Sequence, residues 1–251
     1  MFPLPVSSPP PLCPFPHSGL VLNQDFKMPH GSRSLQDARD AFKACKNPQH
    51  YNQWAETYNT QDHDMMDYMA PAHTAQTLMK HVRHSPDQSL VLDVACGSGL
   101  VAKMLSSLGF RHFVGVDGSA AMLEEARKTA LYQNVLLALL GTQALPVDQF
   151  DVVTIVGALY PGFVPVKVVR ELCHAAKPGG LVVLTRGNYQ RPDHFSYTQD
   201  LHSELRSMEQ EGLWKCLELR QVEHYLSDPH QPQGVIQGSV YIYQKFVTLQ
   251  Y

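Results

Sequence analysis

The chain has 251 residues, 44% of them hydrophobic, which suits one domain of ordinary size with a buried core plus extensions. Lysine and arginine total 20 against 23 aspartates and glutamates, a net charge of -3 with no sustained basic stripe, which argues against nucleic acid as the main partner. The five cysteines are scattered without a CxxC pair and no apolar run approaches the roughly 20 residues of a membrane span, so a disulfide framework, a zinc site and membrane insertion are all disfavoured, and a reducing, cytoplasmic setting is expected.

The opening MFPLPVSSPPPLCPFP holds seven prolines in 16 residues, so residues 1–34 are expected to form a disordered tail. Residues 35–85 read as an N-terminal helical cover, with LQDARDAFKACK, then HYNQWAETYN, then a stretch through MMDYMAPAHTAQTLMKHV in which Pro71 marks a break or a new first turn. From 86 to 251 short apolar or β-branched runs alternate with helical ones, the signature of βαβ units and a parallel sheet.

LVLDVA is the first of these strands, GLVAKMLSSLG a helix ended by Gly109, and HFVGVD the second strand. SAAMLEEARKTAL follows as a helix with Ser119 at its N-cap, acids in the early turns, and Arg127 and Lys128 late, in keeping with the helix dipole. NVLLALL, FDVVTIV and GLVVLT supply three more strands, and VKVVRELCHAAK a helix stopped by PGG. SYTQDLHSELRSMEQEG is an amphipathic helix, while CLELRQVEHYL and GSVYIYQKFVTL alternate as an antiparallel hairpin on the sheet edge.

The chemistry concentrates in VLDVACGSGLVA, where Gly97, Gly99 and Ala102 fit GxGxxA, and Asp117 ends the second strand twenty residues after Gly97, the place of a ribose-binding acid. NAD and S-adenosylmethionine both suit that pattern. Asp93, four residues before Gly97, opposes a pyrophosphate by like charge and welcomes the ammonium of a methionine moiety, so S-adenosyl-L-methionine is the expected cofactor.

With these residues assembled, the chain resembles the class I S-adenosylmethionine-dependent methyltransferases through VLDVACGSG, GVDGSAAML, QALPVDQFDVV and AAKPGGLVVLT, over roughly residues 45 to 250. YNQWAETYN, YMAP, IVGAL and ELCHAAKPGGLVVLT in order are similar to the methyltransferase-like protein 27 group. The resemblance implies an α/β, Rossmann-like fold, a mostly parallel seven-stranded sheet with a C-terminal antiparallel hairpin under a helical cover. It further implies that Asp93, Gly97 and Gly99 line the methionine end, that Asp117 takes the ribose hydroxyls, and that Gly118 and Met122 border the adenine. Tyr51, Trp54 and Tyr58 would close the site from above, and Thr142, Gln143 and Val156 complete the expected set, with S-adenosyl-L-homocysteine as product. Two departures stand out: LLGTQALP lacks the acid that many members place on the adenine amino group, and Asn59 replaces a common Asp.

Methyl transfer from a sulfonium needs alignment and a dry pocket more than a catalytic signature. Tyr51, Trp54 and Tyr58 fall at i, i+3 and i+7, which serves equally as a core stripe or as a cofactor lining. His63, His73, Tyr160 and His194 are scattered, none marked as a general base, and DHD at 62–64 lacks a second cluster for a metal. IVGALYPGF lacks the Asn or Asp followed by Pro-Pro and an aromatic that amine-methylating nucleic-acid enzymes use. The expected activity is thus methyl transfer to a small-molecule acceptor by a monomer or weak dimer. The alternatives are a protein acceptor, bound through the N-terminal segment and the 189–200 loop, and a catalytically silent S-adenosylmethionine-binding module.

Overall fold

A computed structural model of the chain describes Tyr51, Asn52, Ala55, residues 66–228, Gln231 and residues 233–247. The expected tail over 1–34, the helix expected over LQDARDAFKACK, and Trp54, Tyr58, Asn59 and His63 lie outside the described residues.

Helix α1 (Ala70–Met79) opens with Pro71 in its first turn, as the sequence suggests. A sheet domain follows: β1 (Leu90–Val94), α2 (Leu100–Ser107), β2 (His112–Asp117), α3 (Ala120–Lys128), β3 (Tyr132–Leu137), β4 (Phe150–Val156), α4 (Val168–Ala175), β5 (Ala176–Gly187), α5 (Pro192–Gln210), β6 (Trp214–Ser227) and β7 (Val235–Lys245). The seven strands lie in the order β3-β2-β1-β4-β5-β7-β6. β1 to β5 are parallel, and β7 runs antiparallel to both β5 and β6.

The inner strands are apolar on both faces because helices cover both. Leu92, Val153, Ile155, Val182 and Leu184 belong to one core cluster, with Leu172 of α4 and Leu205 of α5. Val91, Val152, Val183 and Ile242 point the other way, toward Leu78 of α1 and Leu105 of α2. This period of two reproduces the pleat of each strand.

The hairpin enters the sheet with its second strand first. β7 carries Val240, Tyr241, Ile242 and Tyr243, all buried, whereas β6 exposes Glu223 and half-exposes Glu218 and Arg220. Water at the open edge accommodates those charges, so β6 takes the edge and β7 the interior position.

Several details differ from the sequence reading, among them the start of α5, at Pro192 within the segment read as a 189–200 loop. Helix α4 stops at Ala175, ahead of PGG, and the chain is already extended at Ala176. Pro178 disfavours helical backbone at the residue before it, and Lys177 turns aside to pair with Asp151 at 2.8 Å. The first turn of α3 contains no acid; Glu124 and Glu125 instead pair with Arg127 and Lys128 at i,i+3. Ser119 does cap α3, its Oγ accepting from the Met122 amide at 3.2 Å.

Candidate active site

The C-terminal ends of the parallel strands meet at a cleft. Its first wall is the turn between β1 and α2, where Ala95, Gly97 and Gly99 all have positive φ (53°, 52° and 88°). Gly99 is the N-cap of α2, in the left-handed region that favours glycine. A Cβ there would lie 3.1 Å from the Tyr132 ring, so close packing beneath the turn also requires a residue without a side chain.

Asp117 at the end of β2 ties this turn to the next. One carboxylate oxygen accepts from the Gly97 amide and the other from the Ser119 amide, both at 2.8 Å. Burial raises the Asp117 carboxyl, while the amides of Ser119, Gly97 and Gly118 pull it down. Carboxylate oxygens accept more than one hydrogen bond each, so Asp117 can also receive a ligand hydroxyl. Met122 and Val156 line the cleft beside it, together with Ala95, Cys96 and Ser98.

Asp93 sits behind this wall. It is 1% exposed, with one oxygen accepting from the Tyr132 hydroxyl at 2.7 Å and the other from the Thr154 hydroxyl at 3.0 Å. Asp93 lies in register between Gly115 of β2 and Thr154 of β4. Tyr132 arrives from β3 over Gly115, where a Cβ would meet its ring at 3.0 Å. Burial is the main cause that pushes the Asp93 carboxyl up to about 6; the two hydroxyls oppose it and Asp117 adds repulsion. The Cys96 thiol is raised as well, first by burial and then by Asp93 and Asp117, so at neutral pH it is a protonated wall rather than a nucleophile.

The second wall is aromatic. Tyr51, Tyr68, Phe163, Tyr189 and Tyr225 all face the cleft. Tyr51 packs on Phe163 with centroids 5.3 Å apart, and its hydroxyl lies 3.4 Å from that of Tyr160. Tyr160 stacks on Phe163 at 5.1 Å and on His194 at 6.2 Å, and His194 touches the Tyr189 ring at 4.9 Å. Asn52 holds Tyr51 in place: its Oδ1 accepts from the Ser119 hydroxyl at 2.7 Å and the Ala121 amide at 3.2 Å, as an added cap on α3.

Of the residues singled out in the sequence, the structure brings Tyr51, Gly97, Asp117, Met122 and Val156 to the cleft wall. Asp93 and Gly99 support the turn from behind, and Gly118 lies between Asp117 and Ser119 without reaching the described wall. Thr142 and Gln143 are exposed, the Thr142 hydroxyl being turned back onto the Leu139 carbonyl at 2.6 Å. His73 is away from the described wall, its Nε2 at 2.8 Å from the His224 carbonyl. Tyr132, Thr154, Asn52, Tyr68, Tyr189 and Tyr225 carry no local sequence signal; Tyr68 and Tyr225 meet across 157 residues of chain.

The strand order and the glycine turn opposite Asp117 define a class I, Rossmann-like methyltransferase fold. Residues 91–180 match the methyltransferase domain family. A stretch of 169 residues, 66% of the chain, is 43% identical to methyltransferase-like protein 27 of Homo sapiens and covers 67% of that protein. A ubiquinone biosynthesis O-methyltransferase of Serratia proteamaculans is 36% identical over 104 residues, 39% of the chain and 42% of that enzyme. Among solved structures, an S-adenosylmethionine-dependent methyltransferase of Leishmania major superposes with a TM-score of 0.54 at 16% identity, covering 83% of this chain and 82% of that one. The chain belongs to the methyltransferase-like protein 27 family, and it is an S-adenosylmethionine-dependent methyltransferase. No helix among the described residues is long and apolar enough to cross a membrane.

Proposed function

We propose that the cleft holds S-adenosylmethionine along its first wall and methylates a small-molecule acceptor presented by its aromatic second wall. The observation that carries this reading is the Asp117 carboxylate, buried at the cleft, tied to the Gly97 and Ser119 amides and open to a further hydrogen bond from a ribose hydroxyl. Gly97 and Ala95 pass the methionine part, Met122 and Gly118 border the adenine, and Val156 packs beneath. Asp93 acts through Tyr132 and the turn rather than by contact, so it is a positioning residue. Thr142 and Gln143 are left out of the proposed set.

The cofactor supplies a methyl group on an already activated sulfonium. The chain's own residues then have three tasks: to hold the acceptor in line, to exclude water, and to favour positive charge near the turn. The carboxylates of Asp93 and Asp117 serve the last of these, and this negative turn is a poor site for a pyrophosphate.

The test is calorimetric titration of S-adenosylmethionine, S-adenosylhomocysteine and NAD into the wild-type chain and into Asp117→Asn and Asp117→Ala. Micromolar binding of the first two, with none of NAD and a large loss in both variants, is expected. Binding of NAD alone, or S-adenosylmethionine binding indifferent to Asp117, would overturn the assignment.

A further inference from the structure

Tyr225 belongs to the edge strand β6, yet its hydroxyl reaches the cleft across two neighbouring strands. Three glycines make its path. A Cβ at Gly238 of β7 would lie 2.7 Å from the Tyr225 ring, one at Gly187 of β5 would lie 3.0 Å from it, and one at Gly157 would lie 3.2 Å from its hydroxyl. Gly187 and Gly238 are register partners, and Gly157, just past β4, donates its amide to the Thr185 carbonyl at 2.9 Å. Glycine weakens a strand, and glycines side by side on adjacent strands mark a close approach from above. Here they form a trough for one tyrosine, which is 2% exposed along its length.

At the end of that trough the Tyr225 hydroxyl meets the Tyr68 hydroxyl at 3.2 Å, the two rings standing edge to face at 5.3 Å. A Cβ at Gly157 would fall 2.2 Å from the Tyr68 oxygen. Gly157 follows Val156 on the cleft wall, so the hydroxyl pair is brought to the border between the two walls. Tyr189 stands edge to face against Tyr225 at 6.5 Å. Among the described residues, the wall on this side carries no lysine, arginine, aspartate or glutamate.

We infer that the Tyr68–Tyr225 hydroxyl pair positions the methyl acceptor, and that the acceptor is an uncharged aromatic molecule presenting a hydroxyl or N–H. The inference rests on the reading of the cleft as the methyl-transfer site. The rings supply flat apolar contact, and the hydroxyls supply an acceptor for the hydrogen on the acceptor's heteroatom. Among the described residues, none on this side would compensate a charged group for its lost hydration. In the transfer the heteroatom–carbon bond forms as the sulfur–carbon bond breaks; sulfur keeps the electron pair as a neutral thioether, and the heteroatom's proton passes by the hydroxyl pair to solvent.

The experiment uses the full chain saturated with S-adenosylhomocysteine and four probes titrated by saturation-transfer NMR: p-cresol, toluene, 4-methylbenzoate and 4-methylbenzylammonium. The expected result is that p-cresol binds best. Tyr225→Phe and Tyr68→Phe, each checked by thermal unfolding, should weaken p-cresol roughly threefold to tenfold, to the level of toluene, with S-adenosylhomocysteine affinity unchanged. Gly157→Ala, which drives a methyl group against the Tyr68 oxygen, should do the same from the other side of the pair. Absence of p-cresol binding, preference for either charged probe, or p-cresol affinity indifferent to both tyrosine variants would overturn the inference. A parallel loss of S-adenosylhomocysteine would also overturn it, by assigning the pair to the cofactor wall. Failure of the wild-type chain to bind S-adenosylhomocysteine at all would instead sink the reading of the cleft itself.

Discussion

The two walls of the cleft are built by opposite means. The wall proposed to hold the cofactor comes from consecutive strand ends, with Asp117 reaching back 20 residues to Gly97 and 2 ahead to Ser119. The aromatic wall gathers Tyr51 and Tyr160 across 109 residues and Tyr68 and Tyr225 across 157. A turn that fixes backbone geometry is written locally, in glycines and one acid. A surface that fits an acceptor can be assembled from any side chains the fold brings together, and that is where a shared fold gains separate specificities.

If the walls are separable, substitutions in the first should move cofactor affinity and leave acceptor probes alone. The largest effect is expected at Asp117: Asp117→Asn should weaken S-adenosylhomocysteine by roughly 100-fold in calorimetry, since charge-assisted hydrogen bonds to the ligand and to the Gly97 and Ser119 amides are weakened together. Next comes Tyr132→Phe, which removes a donor from the buried Asp93 carboxylate and should cost about 2 kcal/mol of stability in chemical denaturation. Its effect on p-cresol affinity, measured with the cofactor product bound, should be nil; an equal effect on both ligands would show that the walls are coupled.

Asp93 provides a pH test of the same pillar. Its carboxyl is raised to about 6 in the fold against an unfolded value of 3.8, so the folded state binds more protons between those values. Stability from this group therefore rises as pH falls from 7 to 5, by about 1 kcal/mol. Wild type should gain that amount relative to Asp93→Asn in denaturation curves at the two pH values, and parallel curves would refute it. The smallest effect is expected at Ala95, whose φ of 53° is costly for a residue with a Cβ. Ala95→Gly should stabilise the chain by only about 0.5 kcal/mol in the same assay, because the entropy glycine adds to the unfolded chain offsets part of the relieved strain.

Much of the fold is legible in the sequence. The alternation of β-branched runs with helical ones, Ser119 at its cap and Pro71 in a first turn all depend on neighbours within one or two turns of chain, and all appear where those neighbours place them. The boundary at Ala175 was less legible because Lys177, Pro178 and Asp151 decide it jointly, and Asp151 is 24 residues from Ala175. Asp93 reads as a ligand-facing acid in sequence because nothing nearby shows that it is buried with Tyr132 and Thr154 each donating to one of its oxygens. Thr142 and Gln143 follow the family's loop by position, yet the turn at Leu139 leaves both exposed.

By itself the sequence determined the strand-and-helix alternation, the glycine turn and the acid that closes it, because backbone conformation and caps respond to residues a few positions away. Only the tertiary structure decided that β7 lies inside β6, that Asp93 is buried under Tyr132, and that Tyr225 crosses three glycines to meet Tyr68. Those outcomes depend on which side chains share space after the sheet closes, and close packing couples residues without regard to their separation along the chain.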